Sequence, residues 1–470
     1  MAATALRRIP ADVRRFSHPG ERKRARQGGK PVTPIELGAI IIGALLALLI
    51  IGMPIAFALM ASGMLGILIT RGPAGFDYVL ATFPYSYVAN FGFVVVPLFM
   101  FMSQMAFVTG MSRRAFESAN IMTSGLRGGL ATATVFACAV FSTVSGSSIA
   151  TASSIANVAI PEMRAAGYSN RLAAACVAAG GTLGVLIPPS SILVIYGLAT
   201  GTSVVQLFVG ALIPGILTAV AYIVGITIVG YLSPRTVGYR GAGIAAGRAG
   251  PVRVTMADRF KSLLMTWEAA LLFVLVIGSI YLGLATPNEA AALGAFVVMI
   301  MVLLKPQRFT IIWNGLQQSG SVTCAVFGLI IGAGLFSMAL TTSRLPVEVA
   351  QWAGSFDLPQ HMLLLLILVP FLFLGAFIDG FSMVLLTMPI VFPIIQHAGV
   401  NPVVFGILVV KAVEIGLITP PVGLNVFVVK GAVPDLPLKD VFIGCIPFVL
   451  MEIGLTVLLV MVPEIVLWPL

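Results

Sequence analysis

The sequence predicts an all-α polytopic membrane protein with two structural repeats, each containing a reentrant helical hairpin and a broken transmembrane helix. Three observations lead to this fold class. Hydrophobic residues make up 59% of the 470 positions and charged residues only 9%, whereas a soluble domain carries roughly 25% charged residues. Uncharged apolar stretches recur along the chain, and one polar segment at 233–262 divides it into halves that match each other. This composition excludes a water-soluble globular protein.

The apolar stretches predict the membrane crossings. One crossing needs about 20 predominantly apolar residues, and several stretches are longer, so they contain two crossings or a break. We expect roughly ten to thirteen helical passes from the stretches at 37–70, 78–112, 128–161, 172–234, 269–288, 290–304, 320–343, 358–378 and 380–410.

Positive charge is concentrated in two segments that predict the orientation. Residues 1–35 form a basic tail, and residues 233–262 form a basic linker with a Gly/Ala-rich middle. Because Lys and Arg are enriched on the cytoplasmic side of membrane proteins, both segments, and the N-terminus, are expected to be cytoplasmic. Nucleic-acid binding is the alternative interpretation of the tail. A disordered, solvated tail explains the charge more simply, so no nucleic-acid partner is predicted.

The two halves, residues 36–232 and 263–470, are predicted to be repeats of one design. A shift of 232 residues aligns glycines and prolines without a gap, and these residues dictate backbone shape. The aligned pairs are Pro161 with Pro393, Gly167 with Gly399, Gly184 with Gly416, and Pro188-Pro189 with Pro420-Pro421.

Each half contains an apolar stretch that predicts a reentrant hairpin. Residues 128–161 would form a single helix roughly 50 Å long, against a hydrocarbon core of about 30 Å. Its middle, near 142–148, is rich in Ser and Thr, which compete with helical hydrogen bonding. The second half turns near 375–382, where Asp379 aligns with Ser147. Both hairpin tips therefore carry an oxygen ligand at the same place.

Each half also contains a membrane helix that is predicted to break in mid-span, near 180–190 and near 414–425. Adjacent prolines remove two backbone donors and release carbonyls of the preceding turn. Non-helical backbone at membrane depth is tolerated only where it is buried in protein or lines a cavity. Paired breaks in two halves indicate a transport site, where released carbonyls bind a cation and helix N-termini favour an anion.

The remaining residues favour a secondary transporter over other functional classes. An enzyme would need nucleophile, base or metal ligands gathered in the spans, but His18, His361 and His397 are scattered. The cysteines are also far apart and are expected to be packed as small hydrophobic residues: Cys138, Cys176, Cys324 and Cys445. We therefore predict no enzymatic activity, organic cofactor or transition metal. No Walker-type motif for a primary pump occurs, and a purely structural subunit would not need two polar reentrant tips.

Three segments of the chain resemble a known family. VSGSSIATASSIANVAIPEMRAAGYS, GTLGVLIPPSSILVIYG and EIGLITPPVGLNVFVV are similar to the large, DctM-like membrane subunit of tripartite ATP-independent periplasmic (TRAP) transporters. The likeness runs from about residue 36 to the C-terminus. It implies an elevator-type transporter of two inverted repeats in the bacterial inner membrane, in which co-transported sodium drives the uptake of an organic acid.

The resemblance also implies partners and site residues. The partners are a small four-helix membrane subunit (DctQ-like) and a soluble periplasmic solute-binding protein (DctP-like). Because residues 1–35 contain no apolar span, the small subunit is expected to be a separate chain. The implied positions are a first sodium site at Ser145, Ser147, Gly184, Ile187 and Pro189, a second at Asp379, Gly416, Thr419 and Gly423, and a substrate site near Ser148, Ser190 and Asn425.

Two groups of charged residues leave alternatives open. Asp379 is the only acid in 358–413, and a buried carboxylate is costly unless it is paired with a cation. A sodium ligand is the favoured interpretation, with a proton relay and a structural helix cap as alternatives. Lys411 and Glu414 are three residues apart, so a local ion pair on one helical face is favoured over a transport role.

The substrate is expected to be a C4-dicarboxylate, a sialic acid or another carboxylate. The alternative function is a stand-alone sodium–dicarboxylate symporter of the same general architecture. Genes for a small four-span protein and a secreted binding protein beside this one would distinguish the two.

Overall fold

A computed structural model of the chain describes residues 33–126, 128–234, 236–237, 255–356 and 358–470. Regular structure in these residues is helical apart from one β-bridge between Tyr168 and Val237. Eight described helical segments are long and apolar enough to cross a membrane, and four shorter apolar helices accompany them. The predicted fold class is confirmed. The predicted tail lies almost wholly outside the described residues.

The helices of the first half begin with α1, whose N-terminus is fixed by a capping box. Thr33 Oγ1 accepts from the Glu36 N–H at 3.2 Å, and a Glu36 carboxylate oxygen accepts from the Thr33 N–H at 2.9 Å. The helices are α1 Pro34–Ile50, α2 Ile55–Val88, α3 Val95–Val108, α4 Met111–Met122, α5 Gly129–Ser145, α6 Ser148–Ala165, α7 Asn170–Leu186, α8 Ser191–Thr200 and α9 Val204–Leu232.

The second half follows the same order of elements. Short 3₁₀ and π segments join its first helices into one nearly continuous rod. The helices are α10 Met256–Leu263, α11 Trp267–Phe273, α12 Ser279–Tyr281, α13 Pro287–Leu303, α14 Arg308–Ser343, α15 Leu345–Gly354, α16 Gln360–Gly375, α17 Gly380–His397, α18 Pro402–Ile418, α19 Leu424–Ala432, α20 Leu438–Met461 and α21 Glu464–Leu467.

Helix boundaries repeat with the spacing found in the sequence. Helices α6 and α17 begin and end 232 residues apart, and so do α7 and α18. The halves differ upstream of the hairpins. In the first half, residues 89–94 separate α2 from α3. The aligned positions of the second half, 321–326, lie inside the continuous helix α14. It also begins at Arg308, twelve residues before the apolar stretch that predicted it.

The two broken helices lie at the centre of the molecule. All residues from 172 to 186 in α7 and from 403 to 418 in α18 are buried. By contrast, α9 exposes an apolar stripe at four-residue spacing: Ile216, Val220, Val224 and Ile228. An apolar stripe on the outside and buried helices that lead to the breaks inside agree with a membrane protein, in which non-helical backbone must be sheltered from lipid.

The end of the predicted linker differs from the expectation. Residues 233–262 were predicted as one polar connection, but α10 begins at Met256 within it. The reason is a second capping box, in which Thr255 Oγ1 accepts from the Asp258 N–H at 3.2 Å and an Asp258 oxygen accepts from the Thr255 N–H at 2.9 Å. Most of the linker, residues 238–254, lies outside the described residues.

Candidate functional site

The first hairpin turns at Gly146 and Ser147, between α5 and α6. Gly146 has φ 56°, in the left-handed region that glycine adopts at little cost. Ser147 is the N-cap of α6, and its Oγ accepts from the Ala150 N–H at 3.4 Å. Ser145 Oγ lies 2.6 Å from Thr151 Oγ1, which also donates to the Ser147 carbonyl at 2.8 Å. Thr151 was not predicted, so this tip gathers three hydroxyl groups rather than two.

The first break, residues 187–190, lies directly against this tip. A Cβ on Gly184 would lie 2.7 Å from the Ser147 carbonyl carbon, and a Cβ on Gly146 would lie 2.6 Å from the Pro189 oxygen. The Ser191 N–H donates to the Gly146 carbonyl at 3.4 Å. The structure thus brings backbone of the tip and of the break into contact, and glycine is required at both positions because a side chain would not fit.

Ile187, the remaining predicted residue of the first site, ends α7. Its N–H donates to the Leu183 carbonyl at 2.9 Å, and its side chain contacts α9, where a Cβ on Gly215 would lie 3.0 Å from Ile187 Cγ1. Any contribution of Ile187 to an ion site would therefore come from its carbonyl group.

The second hairpin turns between α16 and α17, where Asp379 is the N-cap of α17. One carboxylate oxygen accepts from the N–H groups of Phe381 and Ser382, at 3.0 and 3.1 Å. The other accepts from Ser382 Oγ at 2.5 Å. Asp379 thus caps its helix as Ser147 does at the aligned position, but with a carboxylate that accepts three hydrogen bonds. A cap does not exclude an ion ligand, so the alternatives for Asp379 remain predictions.

The second break, residues 419–423, and the helix turn before it also contact the second hairpin. A Cβ on Gly416 would lie 2.6 Å from the Gly375 Cα, so the two backbones touch. The Gly423 N–H donates to the Ala376 carbonyl at 3.4 Å, and Gly423 has φ 60°. Gly416 aligns with Gly184, and Gly423 aligns with Ser191. Aligned residues of the two breaks therefore contact the two tips, but the second break contacts the hairpin at earlier positions in the register, Gly375 and Ala376.

Two predicted hydroxyl groups are held within the breaks. Thr419 Oγ1 donates to the Ile415 carbonyl at 2.5 Å, and Ser190 Oγ donates to the Val185 carbonyl at 2.5 Å. Ser190 is also the N-cap of α8. These bonds fix the chain where each helix ends.

Ser148 and Asn425, two of the three predicted substrate residues, bond to each other across the halves. Ser148 Oγ donates to Asn425 Oδ1 at 2.6 Å, and Asn425 Nδ2 donates to the Ala178 carbonyl of α7 at 3.0 Å. Both side chains are buried. A substrate group that binds here must exchange with the Ser148–Asn425 bond. The hydrogen bonds of the Ser190 side chain are to Val185 and Leu193, on either side of its own break, so they do not join it to this pair.

The predicted ion pair of Lys411 and Glu414 is confirmed, and it belongs to a larger buried group. Lys411 Nζ lies 2.7 Å from Glu414 Oε2 and also contacts Glu452 of α20. It donates to Thr218 Oγ1 of α9 at 2.9 Å, and the Tyr222 hydroxyl donates to Glu452. We call these five residues the Lys411 cluster. Sequence reasoning missed Glu452, although an acid inside an apolar span is a signal of buried partners.

Two surface ion pairs also join the halves. Arg164 Nη1 lies 2.7 Å from Asp435 Oδ2, and Arg171 Nε lies 2.8 Å from Asp440 Oδ1. The hydrogen bond from Arg164 lowers the pKa of Asp435 below its ordinary value, because it stabilises the charged form. These pairs connect α6 and α7 to the segment that surrounds the start of α20.

The cysteines divide into two groups. Cys138, Cys176 and Cys445 are buried, which agrees with packing as small hydrophobic residues, whereas Cys324 is exposed on α14. The expectation for Cys324 was wrong because an apolar span in a membrane protein has an outward face on which an uncharged residue is tolerated.

Comparison with known proteins identifies relatives of this chain. Residues 42–465 match the family described as "Tripartite ATP-independent periplasmic transporter, DctM component". The C4-dicarboxylate TRAP transporter large permease protein DctM of Pseudomonas aeruginosa is 34% identical over 378 residues, which are 80% of this chain and 85% of that protein. The isethionate TRAP transporter permease protein DctMQ of Oleidesulfovibrio alaskensis is 31% identical over 433 residues. The match covers 91% of this chain but 65% of that longer protein.

Among solved structures, the Alcanivorax borkumensis YdaH transporter, whose crystal structure has an unusual topology, superimposes with a TM-score of 0.58 at 17% identity. The superposition covers 83% of this chain and 89% of that one. At this identity the likeness establishes a shared fold and nothing finer.

Proposed function

Because the chain belongs to the DctM family of TRAP transporter large permeases, we propose that it is the translocating subunit of a sodium-coupled importer of a small organic acid. In this proposal sodium binds at the two places where a hairpin tip meets a broken helix. The substrate binds between them, and binding of both allows the hairpins to carry their cargo across the membrane.

The observation that carries the proposal is the pair of contacts between a hairpin tip and a broken helix, made by aligned residues of the two breaks. Where the helix is broken, backbone carbonyl oxygens lack helical hydrogen-bond donors and can serve as ligands for a hard cation. The first contact adds the hydroxyl groups of Ser145 and Thr151, and the second adds the carboxylate of Asp379. Hydroxyl, carbonyl and carboxylate oxygens are hard ligands, which suit a hard cation such as sodium better than a soft metal ion.

The substrate class is argued from helix ends and from relatives. Helices α8 and α19 begin at the two breaks, and a helix N-terminus favours an anion. Ser148 and Asn425, which lie beside these breaks, offer hydrogen-bonding groups for a carboxylate. The names of the two relatives above specify a C4-dicarboxylate and isethionate, both small organic anions.

An elevator motion is supported by the way in which the hairpins and broken helices are joined. The Ser148–Asn425 bond and the two surface ion pairs link elements of both halves. A second hydrophobic core comprises residues of α4, α5, α6, α7, α9, α19 and α20, together with Ile418 at the end of α18. Elements tied in this way move as one body, so alternating access by sliding of that body is the mechanism we propose.

The partners and location follow from the family. The DctMQ relative extends beyond the region that matches this chain. We propose that the additional component of that protein is a separate small membrane subunit in this transporter. A periplasmic solute-binding protein would deliver the acid, and the complex would lie in the bacterial inner membrane with its N-terminus in the cytoplasm.

Uptake into proteoliposomes tests the proposal. The purified subunits would be reconstituted, radiolabelled C4-dicarboxylates and other organic acids supplied with the binding protein, and an inward sodium gradient compared with an equal potassium gradient. We expect uptake only with sodium and binding protein together. Uptake with sodium but without binding protein would instead favour the stand-alone symporter. Uptake that is equal in potassium would refute sodium coupling.

A further inference from the structure

The Lys411 cluster is a group of charges that the proposed ion and substrate sites do not use. Its five side chains come from three helices: Lys411 and Glu414 from α18, Glu452 from α20, and Thr218 and Tyr222 from α9. All five are fully or almost fully buried. Helix α9 belongs to the first half of the chain, and α18 and α20 belong to the second. The cluster therefore joins the two repeats at their centre.

The Lys411 ammonium group lies within ion-pair distance of two carboxylates and donates a hydrogen bond to Thr218. An ammonium group has three donors, and Lys411 Nζ has three partners: Glu414, Glu452 and Thr218. A buried charge without a partner is costly, and here two carboxylates share the ammonium. Lys411 cannot move relative to α9 and α20 without leaving acids unpaired in a low-dielectric interior. Its position along the membrane normal and its rotation about α18 are therefore fixed.

The fixed residues lie directly before the second break. Lys411, Glu414 and Gly416 belong to the same continuous helix, which ends at Ile418. Because an α-helix is rigid over one or two turns, holding Lys411 also holds the turn that contains Gly416 against the second hairpin tip. A Cβ on Gly416 would already be in contact with the Gly375 backbone, so a small rotation of α18 would open or close this seam.

The first repeat has no such attachment. In the 232-residue register Lys411 aligns with Ala179, Glu414 with Thr182 and Glu452 with Val220. The backbones of α7 and α18 are equivalent, but only α18 carries the charges. A device that holds α18 should therefore affect the second tip-and-break contact more than the first.

We propose that Lys411 is a positioning residue for the second ion site. Through Glu452 and Thr218 it fixes α18 to α20 and α9, and thereby sets the geometry of the break at 419–423 against the hairpin tip that carries Asp379. The inference rests on the proposed sodium coupling and adds a residue that does not itself contact the ion.

The test measures sodium dependence in Lys411→Met, a substitution that keeps the length of the side chain and removes its charge. Uptake of the transported acid would be measured over a range of sodium concentrations at saturating binding protein. We expect half-saturating sodium to rise about tenfold or more, as for groups that orient the ligands of a metal. Residual uptake at high sodium is expected to persist, because no ion ligand has been removed.

Two milder variants show the effect even where Lys411→Met fails to fold. Thr218→Val removes one acceptor of the ammonium, and Tyr222→Phe removes the hydroxyl donor to Glu452. Both are expected to raise half-saturating sodium by a smaller factor of about two to five. Arg114→Met is the matched control, because it breaks an ion pair between the halves, from α4 to α11, that involves neither α18 nor a break, and its sodium dependence should equal that of the wild type.

A second readout separates positioning from a general loss of stability. Sodium that binds the folded protein raises its melting temperature. The sodium concentration that gives half of this rise therefore measures sodium binding independently of transport. It should shift in Lys411→Met, Thr218→Val and Tyr222→Phe together with the uptake value. Lower melting temperatures with unshifted sodium dependence in all folded variants would overturn the inference and leave the proposed function intact. A wild-type protein with no sodium dependence would overturn both.

Discussion

Substitution of Asp379 by Asn distinguishes the three roles that its position allows. The structure shows one carboxylate oxygen accepting two backbone N–H groups and the other accepting the Ser382 hydroxyl. An Asn side chain keeps the first oxygen, and Asn is as good an N-cap as Asp. Only the bond to Ser382 must be rearranged. The loss of stability should therefore be about 1 kcal/mol or less, and the protein should fold.

The expected effect on ion binding is much larger. If the carboxylate faces a sodium ion, the substitution removes the charge that offsets the ion's desolvation, which is worth several kcal/mol in a low-dielectric site. Because 1.4 kcal/mol is a factor of ten in affinity, half-saturating sodium should rise by at least about tenfold. The two magnitudes differ enough that a cap and an ion ligand cannot be confused.

The assay is sodium-dependent uptake into proteoliposomes at constant pH, together with the melting temperature of the purified variant. Asp379→Ala is the control for the cap, because it also loses the bonds to Phe381 and Ser382 and should cost about 1 kcal/mol of stability in addition. A proton relay would show itself as loss of the response to a pH gradient with sodium dependence retained. Sodium dependence that is unchanged in folded Asp379→Asn would refute the reasoning and leave the residue as a helix cap.

Three further predictions concern the backbone and the surface. Replacing Pro188-Pro189 or Pro420-Pro421 with Ala-Ala should abolish uptake by correctly inserted protein, because the restored N–H donors allow the helix to bond its carbonyl groups again. Normal sodium-dependent uptake would show that the breaks are only kinks without a role in transport. Gly416→Ala should destabilise the protein by about 1–3 kcal/mol and abolish uptake, because the new Cβ would meet the Gly375 backbone. Gly431→Ala in α19 is the control: nothing lies within 4 Å of its Cβ position, so stability and uptake should both stay unchanged. The Arg164–Asp435 pair lowers the pKa of Asp435 from its ordinary value of 3.8, so its contribution is present at neutral pH and is lost as the pH falls through the lowered pKa. Melting temperatures measured down to roughly pH 3 should fall more steeply for the wild type than for Asp435→Asn, and parallel curves would contradict this.

The positions of the hairpin turns and helix breaks could be predicted from the sequence because Gly, Pro and Ser determine them locally. The ends of the hairpins and breaks follow residues with strong local conformational preferences, such as Gly146, Ser147 and Pro188. The side-chain partners could not be predicted in the same way. Ser148 and Asn425 are 277 residues apart, and nothing in either neighbourhood specifies the other. Thr151 was missed because a hydroxyl one turn beyond a tip looks the same in sequence as any helical Thr.

The Lys411 cluster illustrates the same limit for charges. The spacing of Lys411 and Glu414 is local and was sufficient to predict their ion pair. That pair alone looks complete, because one cation and one anion balance. Glu452 in an otherwise uncharged span was the sign that more was needed, since an acid at membrane depth requires a partner. Lys411 is a basic residue inside another apolar span of the same half. A balance of intramembrane charges over the whole chain, rather than within each helix, would have predicted the contact.

The two repeats share a backbone but not a charge distribution, and this asymmetry has a consequence for the proposed cycle. The first contact offers hydroxyl and carbonyl oxygens, whereas the second offers a carboxylate at Asp379. Neutral oxygens compensate less of an ion's desolvation than a carboxylate does. Sodium at the first site should therefore be held more weakly than sodium at the second. A carrier that must release its ions into a cytoplasm with little sodium then has an order of release: the first site empties before the second. In the proposed cycle, the hairpin that contacts Asn425 through Ser148 would lose its ion first, so release of sodium there would loosen the proposed substrate site while the second site keeps its ion.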